Sequence, residues 1–322
     1  MDRVFRLELP TPFPVGPANA WWLDGPEPML IDAGAYTRES LSVLEAGLAS
    51  RGRRLEEVRR VLLTHDHVDH AGSAGEIARR SGARVSLHER GRLTLQRSPE
   101  EIAAVGAFLS RCGLPGELIA RAWSVFRRSE RVAAPEPVTE SAIDRLKGGD
   151  EVESPLGPLT VLATPGHSPD HLCFLAREAG LLFCGDTLLA DITPNPILYL
   201  DPEDGFRRSP SLLAYLDSLA MLAELPLRLA HPGHGPDIPD AAALIAQNLA
   251  FVESRKRDFI AAAGGGAASP YALARAVFGE QDVIGQFLAL SETVAYLDLL
   301  ERDEGFCVAW DEDPIRIACE ER

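Results

Sequence analysis

Cysteine is scarce in this sequence, with 5 among 322 residues, and these are odd in number and scattered. Cys173, Cys184 and Cys307 lie inside apolar runs. This usage argues against a disulfide framework and predicts a reduced, cytoplasmic protein. Long hydrophobic runs are also missing, since none approaches the roughly 20 residues of a membrane span. Residues 1–9 alternate like a strand and lack the core of a signal peptide. We therefore expect no membrane partner.

Lysine is almost absent, with 2 lysines against 30 arginines, and the formal net charge is −16. This acidic balance argues against binding to a long polyanion. The length of 322 residues exceeds the usual size of a single core, which predicts a main domain with an appendage.

Histidines and aspartates are concentrated in residues 64–70, directly after an apolar run. Because the side chains of a strand alternate between faces, His65 and His67 point the same way and can hold one cation. Asp69 and His70 follow as the chain turns and can hold a second cation beside the first. Three imidazoles and a carboxylate in this H-x-H-x-D-H order predict a metal site.

Three further candidate ligands follow apolar runs farther along the chain. His167 ends a Thr-Pro-Gly-His segment, Asp186 lies in a Gly-Asp-Thr segment, and His234 lies in a Gly-His-Gly segment. Each one is placed where a β-type segment gives way to a turn, as expected if one sheet edge presents the site.

The motifs H-x-H-x-D-H, G-H, G-D and G-H-G occur in this order, with Leu-Ile-Asp-Ala-Gly at residues 30–34 upstream. Over about residues 1–240 the chain resembles the metallo-β-lactamase fold superfamily, and within it the glyoxalase II-like or generic metallo-hydrolases. The resemblance implies an α/β fold, a four-layer αβ/βα sandwich of two mixed sheets, with residues 1–262 as the catalytic domain. Apolar spacing predicts one helix over residues 38–60.

The resemblance also implies that seven side chains hold two divalent metal ions. They are His65, His67 and His167 on the first ion, Asp69, His70 and His234 on the second, and Asp186 bridging both. Such a set leaves positions open for water, as a catalytic site requires. The two ions would share a hydroxide whose pKa is near roughly 7 and which acts as the nucleophile, with Asp69 counted among the catalytic residues.

The types of the implied ligands bear on the reaction and on the identity of the metal. True lactamases of this superfamily place a thiolate on the second metal, where this chain has Asp69 and His70, so antibiotic hydrolysis is not expected. A set of nitrogen and oxygen donors favours zinc and leaves manganese and iron open. A single iron, as in persulfide dioxygenases, would leave His70 and His234 without a role.

Four neighbouring residues have a structural interpretation beside a functional one. His171 is interpreted as a catalytic residue that orients a ligand, with a direct substrate contact as the alternative. His231 resembles a spare ligand, but His234 of the Gly-His-Gly segment is preferred. Asp32 is expected to orient loops around the site, and His88 to be a satisfied histidine at a strand end.

The stretch between the two halves of the site is long, with 97 residues from His70 to His167. Its surplus, about residues 90–135, has helical apolar spacing, and residues 90–131 carry eight arginines and four glutamates, a net charge of +4. We interpret it as a helical insertion that covers the cleft and offers arginines to an anionic substrate, with a solvated helix face as the alternative. The candidate substrate contacts are Arg127 and Arg128, with Arg121 and Arg131 beside them, and Asn195 in a proline-flanked loop.

Residues 263–322 are predicted to form a small C-terminal domain after a glycine-rich linker. Helices followed by a hairpin resemble the winged-helix tail of one subgroup of these hydrolases. Residues 265–322 hold four arginines against twelve acidic residues, so DNA binding is not expected. Packing or homodimer formation is the preferred role.

The overall layout is most similar to the glyoxalase-like hydrolases, which predicts cleavage of a thioester or a related small anionic ester. Phosphodiester or RNA cleavage is the alternative, because relatives with a comparable tail include endoribonucleases. Lactone hydrolysis and a non-catalytic regulatory role come after these, and the complete ligand set argues against the last.

Overall fold

Two mixed β-sheets form the centre of the fold in the computed structural model, which describes residues 3–13, 15–93, 97–132, 137–264, 266 and 268–319. The first sheet contains, in spatial and chain order, β1 (Val4–Leu9), β2 (Ala18–Leu23), β3 (Met29–Ile31), β4 (Arg60–Leu62), β5 (Arg84–His88) and β6 (Ile143–Leu146). Strands β1 to β3 pair antiparallel, and β3 to β6 pair parallel.

The second sheet contains β7 (Glu151–Val152), β8 (Leu159–Ala163), β9 (Leu172–Ala176), β10 (Leu181–Gly185) and β13 (Leu229–Pro232). Its spatial order is β13–β10–β9–β8–β7, and the pair β10 and β13 is parallel while the other pairs are antiparallel. Two short antiparallel pairs lie outside these sheets: β11 (Leu200–Asp201) with β12 (Arg207–Arg208), and β14 (Phe306–Val308) with β15 (Ile317–Cys319).

The helices lie between and after these strands. They are α1 (Arg38–Ala49), α2 (Val68–Ala71), α3 (Ala74–Ser81), α4 (Pro99–Arg111), α5 (Gly116–Val132), α6 (Ser211–Ala223), α7 (Ala241–Gly264), α8 (Pro270–Phe278) and α9 (Val283–Glu304).

Side-chain alternation assigns the two faces of each sheet to different apolar layers. In β2, Ala20 and Trp22 pack with side chains of α1 and α3, whereas Trp21 and Leu23 pack with the second sheet. Strand β9 alternates in the same way between this inter-sheet layer and the helices α6 and α7. The predicted α/β fold with two mixed sheets is confirmed, and these contacts arrange it in four layers.

The helix predicted over residues 38–60 is shorter than expected. Helix α1 begins after Thr37, whose side chain accepts a hydrogen bond from a backbone N–H of the first turn, and it ends at Ala49. Gly52 then adopts a φ of +69°, and a single 3-10 turn at Leu55–Glu57 leads into β4. The prediction beyond Ala49 was wrong because apolar side chains of this turn also reach the core and imitate helical spacing.

The predicted insertion is helical, and its helices α4 and α5 pack against the C-terminal part of the chain. Val105 and Leu109 of α4 share an apolar cluster with Leu290 and Val294 of α9. Leu200 of β11 belongs to the same cluster, so the segment that follows Asp186 is included in it. The side chains of residues 128–136 lie outside the described part of the structure.

The C-terminal segment has the order helix, helix, hairpin, made by α8, α9 and the pair β14–β15. Tyr271 N donates to the Cys112 carbonyl at 2.9 Å, and Ile315 N donates to the Arg111 carbonyl at 2.8 Å, so the segment is hydrogen-bonded to the end of α4. Helix α9 also shares an apolar cluster with α6 and α7. These contacts do not confirm a winged-helix domain, and a boundary at residue 263 stays a prediction.

Helix α9 is, among the described residues, long and apolar enough to cross a membrane by length and composition. No such stretch was expected from the sequence, in which no apolar run approaches the roughly 20 residues of a membrane span. About three fifths of the relevant window, 61%, is buried inside the protein, as in a core helix. The length and composition of α9 are therefore weak evidence for a membrane span.

Candidate metal centre

The predicted metal ligands lie just beyond the carboxyl ends of strands. His65 and His67 follow β4, His167 follows β8, Asp186 follows β10, and His234 follows β13. Strands β8, β10 and β13 run in one direction, because β9 is antiparallel to both β8 and β10 and β10 is parallel to β13. Their ends therefore present these side chains at one edge of the second sheet.

The side chains gather into groups that could hold metal ions. Within each group, one ligand atom per residue lies within 4.8 Å of the others. The groups are His65, His67 and His167; His65, His70 and Asp186; and Asp69, His70 and His234. The first and third groups are the two sets that the resemblance implied, and the second connects them.

Asp186 lies between the two sets. Its Oδ1 is 3.5 Å from His70 Nε2, and its Oδ2 is 3.6 Å from both His167 Nε2 and His234 Nε2. The carboxylate thus contacts ligands of both sets, as a bridging carboxylate would. The backbone of Gly233 approaches it closely, because a Cβ at this position would lie 2.2 Å from Asp186 Oδ1.

The outer ring nitrogens of two ligands are held by acceptors behind the centre. His70 Nδ1 donates to Asp32 Oδ2 at 2.9 Å, and His234 Nδ1 donates to the Pro17 carbonyl at 2.8 Å. Since Nδ1 is the donor in both rings, each ring in its neutral form presents the lone pair of Nε2 to the centre, as a metal ligand must. The carbonyl of Pro17 gave no signal in the sequence, since any residue type supplies one.

Asp32 connects both halves of the centre. In addition to His70, it accepts hydrogen bonds from Thr64 through the backbone N at 2.8 Å and the hydroxyl at 2.9 Å. The Thr64 hydroxyl lies 3.0 Å from His65 Nδ1 and is placed to accept a hydrogen bond from that nitrogen. Asp32 has a φ of 61°, which is uncommon for a residue with a Cβ. These contacts agree with the expected orienting role of Asp32. They add Thr64, which directly precedes the first histidine of the motif and was not expected to take part.

Burial keeps the imidazoles of the first set neutral. It lowers the pKa of His65 well below its usual value, that of His67 to about 3, and that of His167. Burial opposes a charge on His70 too, but the carboxylates around that ring outweigh burial and raise its pKa. His65 Nε2 and Asp186 Oδ1 are buried and have no hydrogen-bond partner among the described residues. Since buried polar atoms normally have partners, this donor set fits divalent cations.

Asp69 is the carboxylate of the second set. Its Oδ2 lies 3.5 Å from His234 Nε2. Burial raises the pKa of Asp69, but His70 and the hydrogen bond with His234 outweigh that effect and lower the pKa to about 2. The side chain is therefore an anion at neutral pH and suits a cation, while its catalytic role stays a prediction.

His171 is engaged through both ring nitrogens. Its Nε2 accepts a hydrogen bond from the backbone N of Asp186 at 3.1 Å, so Nδ1 carries the proton. This Nδ1 lies 2.9 Å from Thr164 Oγ1 and 3.1 Å from Thr187 Oγ1. Both ring nitrogens thus have partners within the protein, and the catalytic role of His171 stays a prediction. Both threonines flank predicted ligand motifs, and a hydroxyl at such a position is the signal that could have indicated them.

Two other histidines lie outside the ligand groups. His231 Nδ1 is 3.1 Å from Asp237 Oδ1, and its ring packs 4.2 Å from that of Trp21. His88 Nδ1 accepts a hydrogen bond from Arg90 N at 3.0 Å at the end of β5. Both arrangements agree with the structural interpretations of these residues.

The three residues predicted to contact the substrate do not belong to the ligand groups. Arg127 lies on an exposed part of α5, while the side chain of Arg128 lies outside the described residues. The Asn195 amide points to α9, with Nδ2 3.5 Å from the Leu288 carbonyl and 3.5 Å from Glu292 Oε2. A substrate-binding role for these three residues stays a prediction.

Known proteins resemble this chain in sequence and in fold. A family model described as the metallo-beta-lactamase superfamily matches residues 13–234. The probable metallo-hydrolase YqjP of Bacillus subtilis (strain 168) is 28% identical over 314 residues, which are 96% of each chain. The crystal structure of the metallo-beta-lactamase family protein TTHA1429 from Thermus thermophilus has a TM-score of 0.82 at 29% identity and covers 99% of both chains. The structure of TTHA1623 in a di-iron-bound form has a TM-score of 0.50 at 27% identity and covers 76% of this chain and 98% of that chain.

Proposed function

Since this chain belongs to the metallo-β-lactamase superfamily and is a metal-dependent hydrolase, we propose that it cleaves a thioester or a related small anionic ester at a dinuclear metal centre. The position of Asp186 supports the dinuclear part of this proposal, because its two carboxylate oxygens contact candidate ligands of both sets at 3.5 to 3.6 Å, whereas the substrate class is proposed from the resemblance to glyoxalase-like hydrolases. A shared carboxylate between two sets of imidazoles is suited to a pair of neighbouring divalent ions.

When bound, two divalent ions supply an activated water near neutral pH and a Lewis acid for the scissile bond. The chain itself holds the ligand nitrogens inward and keeps the first set of imidazoles unprotonated. The three ligand groups contain nitrogen and oxygen donors, which suit zinc, manganese or iron. We propose zinc, and the di-iron form of TTHA1623 keeps iron as an alternative.

The proposal of an anionic substrate is supported by a cation at the start of the insertion. Arg92 N donates to Asp66 Oδ2 at 2.9 Å, so this part of the chain contacts residues 64–70, which contain four of the candidate metal ligands. The guanidinium of Arg97 lies 5.3 Å from the ring centroid of Phe126 on α5. Arg97 makes no ion pair among the described residues, whereas Arg92 pairs with a glutamate of α4. We therefore propose Arg97 as a contact for the substrate anion, in addition to the arginines of α5.

Phosphodiester cleavage is the alternative, because the same donor set would serve a phosphoryl group. The acidic balance of the chain favours a small substrate over a long nucleic acid. We interpret the C-terminal segment as winged-helix-like, with a role in packing or homodimer formation. A cytoplasmic location is proposed from the cysteine usage.

An activity panel tests the proposal. The zinc-reconstituted protein is assayed with a thioester, a lactone, bis-p-nitrophenyl phosphate and a short RNA. We expect the highest kcat/KM for the thioester, and we expect Asp186→Asn to lose metal and at least about 100-fold in kcat/KM. His231→Asn is the matched control, because this histidine lies outside the ligand groups and its loss should leave the metal content unchanged.

Other results of the activity panel would replace the thioester proposal. Preference for the phosphate diester or the RNA would replace the thioester proposal with the alternative. Two bound metal ions without activity on any member of the panel would favour a regulatory protein.

A further inference from the structure

We propose that Asn19 of β2 is a positioning residue of the metal centre, which holds the segment that carries His234. The inference rests on the proposed dinuclear site, and it assigns a role there to a side chain of the first sheet that belongs to none of the ligand groups.

His234 lies in a segment that its own backbone restricts little. It follows β13 and is flanked by Gly233 and Gly235, and glycine has the largest conformational freedom of any residue. Gly235 uses this freedom, since its φ is +74°. The backbone at Gly233 passes close to the centre, because a Cβ there would lie 2.2 Å from Asp186 Oδ1 and 2.7 Å from His70 Cε1. Contacts from outside the segment therefore have to fix the position of His234.

The side chain of Asn19 supplies such contacts on both sides of His234. Its Nδ2 donates to the Pro232 carbonyl at 3.0 Å and to the Gly235 carbonyl at 2.9 Å. Its backbone N also donates to the Gly233 carbonyl at 2.7 Å. Because an amide nitrogen has two hydrogens, the two carbonyls use the full donor capacity of Nδ2.

The segment is held from two directions. On the side of β2, the Pro17 carbonyl accepts a hydrogen bond from His234 Nδ1 at 2.8 Å, two residues before Asn19. On the side of the second sheet, the backbone N of Gly233 donates to the Gly185 carbonyl at the end of β10 at 2.8 Å. A shift of the segment relative to β2 would therefore move the imidazole of His234 and the backbone beside the bridging carboxylate together.

The two carbonyls do not depend on Asn19 for a hydrogen-bond partner. Trp21 Nε1 also donates to the Pro232 carbonyl, at 3.2 Å, and Arg6 Nη1 donates to the Gly235 carbonyl, at 3.0 Å. Loss of the Asn19 amide therefore leaves neither carbonyl unpaired, and a variant at this position should fold. What is lost is the one side chain that contacts both ends of the segment.

Packing alone does not require a polar side chain at this position. Asn19 is 1% exposed, and its Oδ1 is buried without a hydrogen-bond partner among the described residues. Burial of an amide with an unpaired oxygen costs free energy, which an apolar residue of similar size would avoid. The two contacts of Nδ2 around His234 give this amide a role.

The test measures zinc binding by Asn19→Leu, which keeps the number and branching of the side-chain atoms and removes both donors. Stepwise Zn²⁺ affinities are determined by competition with a chromophoric chelator. We expect one ion to bind within about threefold of its parent affinity and the other at least about 10-fold more weakly, as for loss of a contact that supports a ligand. Asn19→Ser retains one donor, and its affinity for the second ion should lie between those of the parent and of Asn19→Leu.

A second readout does not need metal. In the metal-free protein, the side-chain ¹⁵N shifts of His234 should change in Asn19→Leu. Those of His167, which belongs to the other set, should keep their parent values. A general loss of stability would not separate the two histidines in this way.

Glu301→Ala is the control for lost stability. Glu301 accepts hydrogen bonds from Val308 N and Trp310 Nε1 at 3.0 and 2.7 Å and lies outside the ligand groups. The substitution should lower the thermal unfolding midpoint and leave the zinc affinities and the histidine shifts unchanged.

The inference is overturned if Asn19→Leu binds both ions with the parent affinities, if the shifts of His234 and His167 change equally, or if Glu301→Ala weakens zinc binding as much. The same comparisons with Asn19→Ser decide the matter if Asn19→Leu does not fold. A parent protein that binds fewer than two zinc ions would overturn the proposed dinuclear centre. The shifts of His234 in the metal-free protein would then still decide the role of Asn19, so the two failures are distinguishable.

Discussion

Replacement of Asp32 by asparagine is the sharpest perturbation of the centre. Asn tolerates the φ of 61° at this position, whereas most other residues would add backbone strain. The new Oδ1 can still accept from Thr64 N. The new NH₂ group, however, stands where Oδ2 accepted from His70 Nδ1 at 2.9 Å and from the Thr64 hydroxyl at 2.9 Å. Two donors then face each other on the His70 side.

The magnitude follows from the tautomer of His70. To accept from the new NH₂ group, Nδ1 must lose its proton, and the proton moves to Nε2, the nitrogen that faces the centre. Alternatively the ring turns away. Either change weakens the second set, for which loss of such a supporting contact typically costs 10- to 100-fold in metal affinity. This corresponds to about 1.4 to 2.8 kcal/mol of binding free energy.

The assay is zinc binding measured by chelator competition, together with metal content after dialysis. We expect the parent protein to retain two equivalents and Asp32→Asn to retain less of the more weakly bound ion. Asp144→Asn is the control, because Asp144 pairs with Arg84 away from the ligand groups. Two ions bound by Asp32→Asn within twofold of the parent affinities would refute the tautomer argument.

Three further predictions follow from the same contacts. Gly233→Ala places a Cβ 2.2 Å from Asp186 Oδ1 and should reduce zinc affinity at least about 10-fold, whereas Gly116→Ala meets no atom within 4 Å and should leave zinc affinity unchanged in the same titration. Arg97→Ala should raise KM for an anionic substrate about 10-fold with kcat within twofold, as measured by steady-state kinetics, and an unchanged KM would remove this contact. The pKa of His67 is about 3 in the folded metal-free protein against 6.5 when exposed, so the unfolded state binds more protons between these values. The unfolding free energy of the metal-free protein should therefore fall as the pH is lowered through this window, and His67→Gln should flatten that slope in denaturant titrations.

The candidate ligands could be predicted because each belongs to a short motif beside an apolar run. Local sequence indicates that a strand ends shortly before His65, Asp186 and His234, so these positions follow without knowledge of the tertiary fold. The supporting contacts could be predicted only in part, since Asp32 and His171 were expected to orient the site but their backbone and hydroxyl partners were not. The Pro17 carbonyl reaches His234 across 217 positions in the chain, and a backbone carbonyl has no signature in the sequence.

The residues that would contact the substrate could be predicted only as a group. Helical spacing predicted an insertion rich in arginine, and α4 and α5 agree with it. Spacing does not say which arginine faces the cleft, because that depends on how the helices pack against distant parts of the chain. The guanidinium of Arg97 lies 5.3 Å from the ring centroid of Phe126, whereas the arginines expected from the sequence to contact the substrate lie on α5 itself.

The insertion and the C-terminal segment are joined by direct hydrogen bonds. Arg111 at the end of α4 accepts a backbone hydrogen bond from Ile315 and donates through its guanidinium to the Trp310 carbonyl. Arg208 of β12 makes a two-point ion pair with Asp298 of α9 and lies 4.0 Å from the Trp310 ring. Such contacts, with the apolar cluster shared by α4, α9 and Leu200, join the C-terminal segment to the insertion. A substitution in the C-terminal segment should therefore change the packing of the insertion, which is the physical reason to look for substrate contacts of this enzyme outside its metal-binding motifs as well.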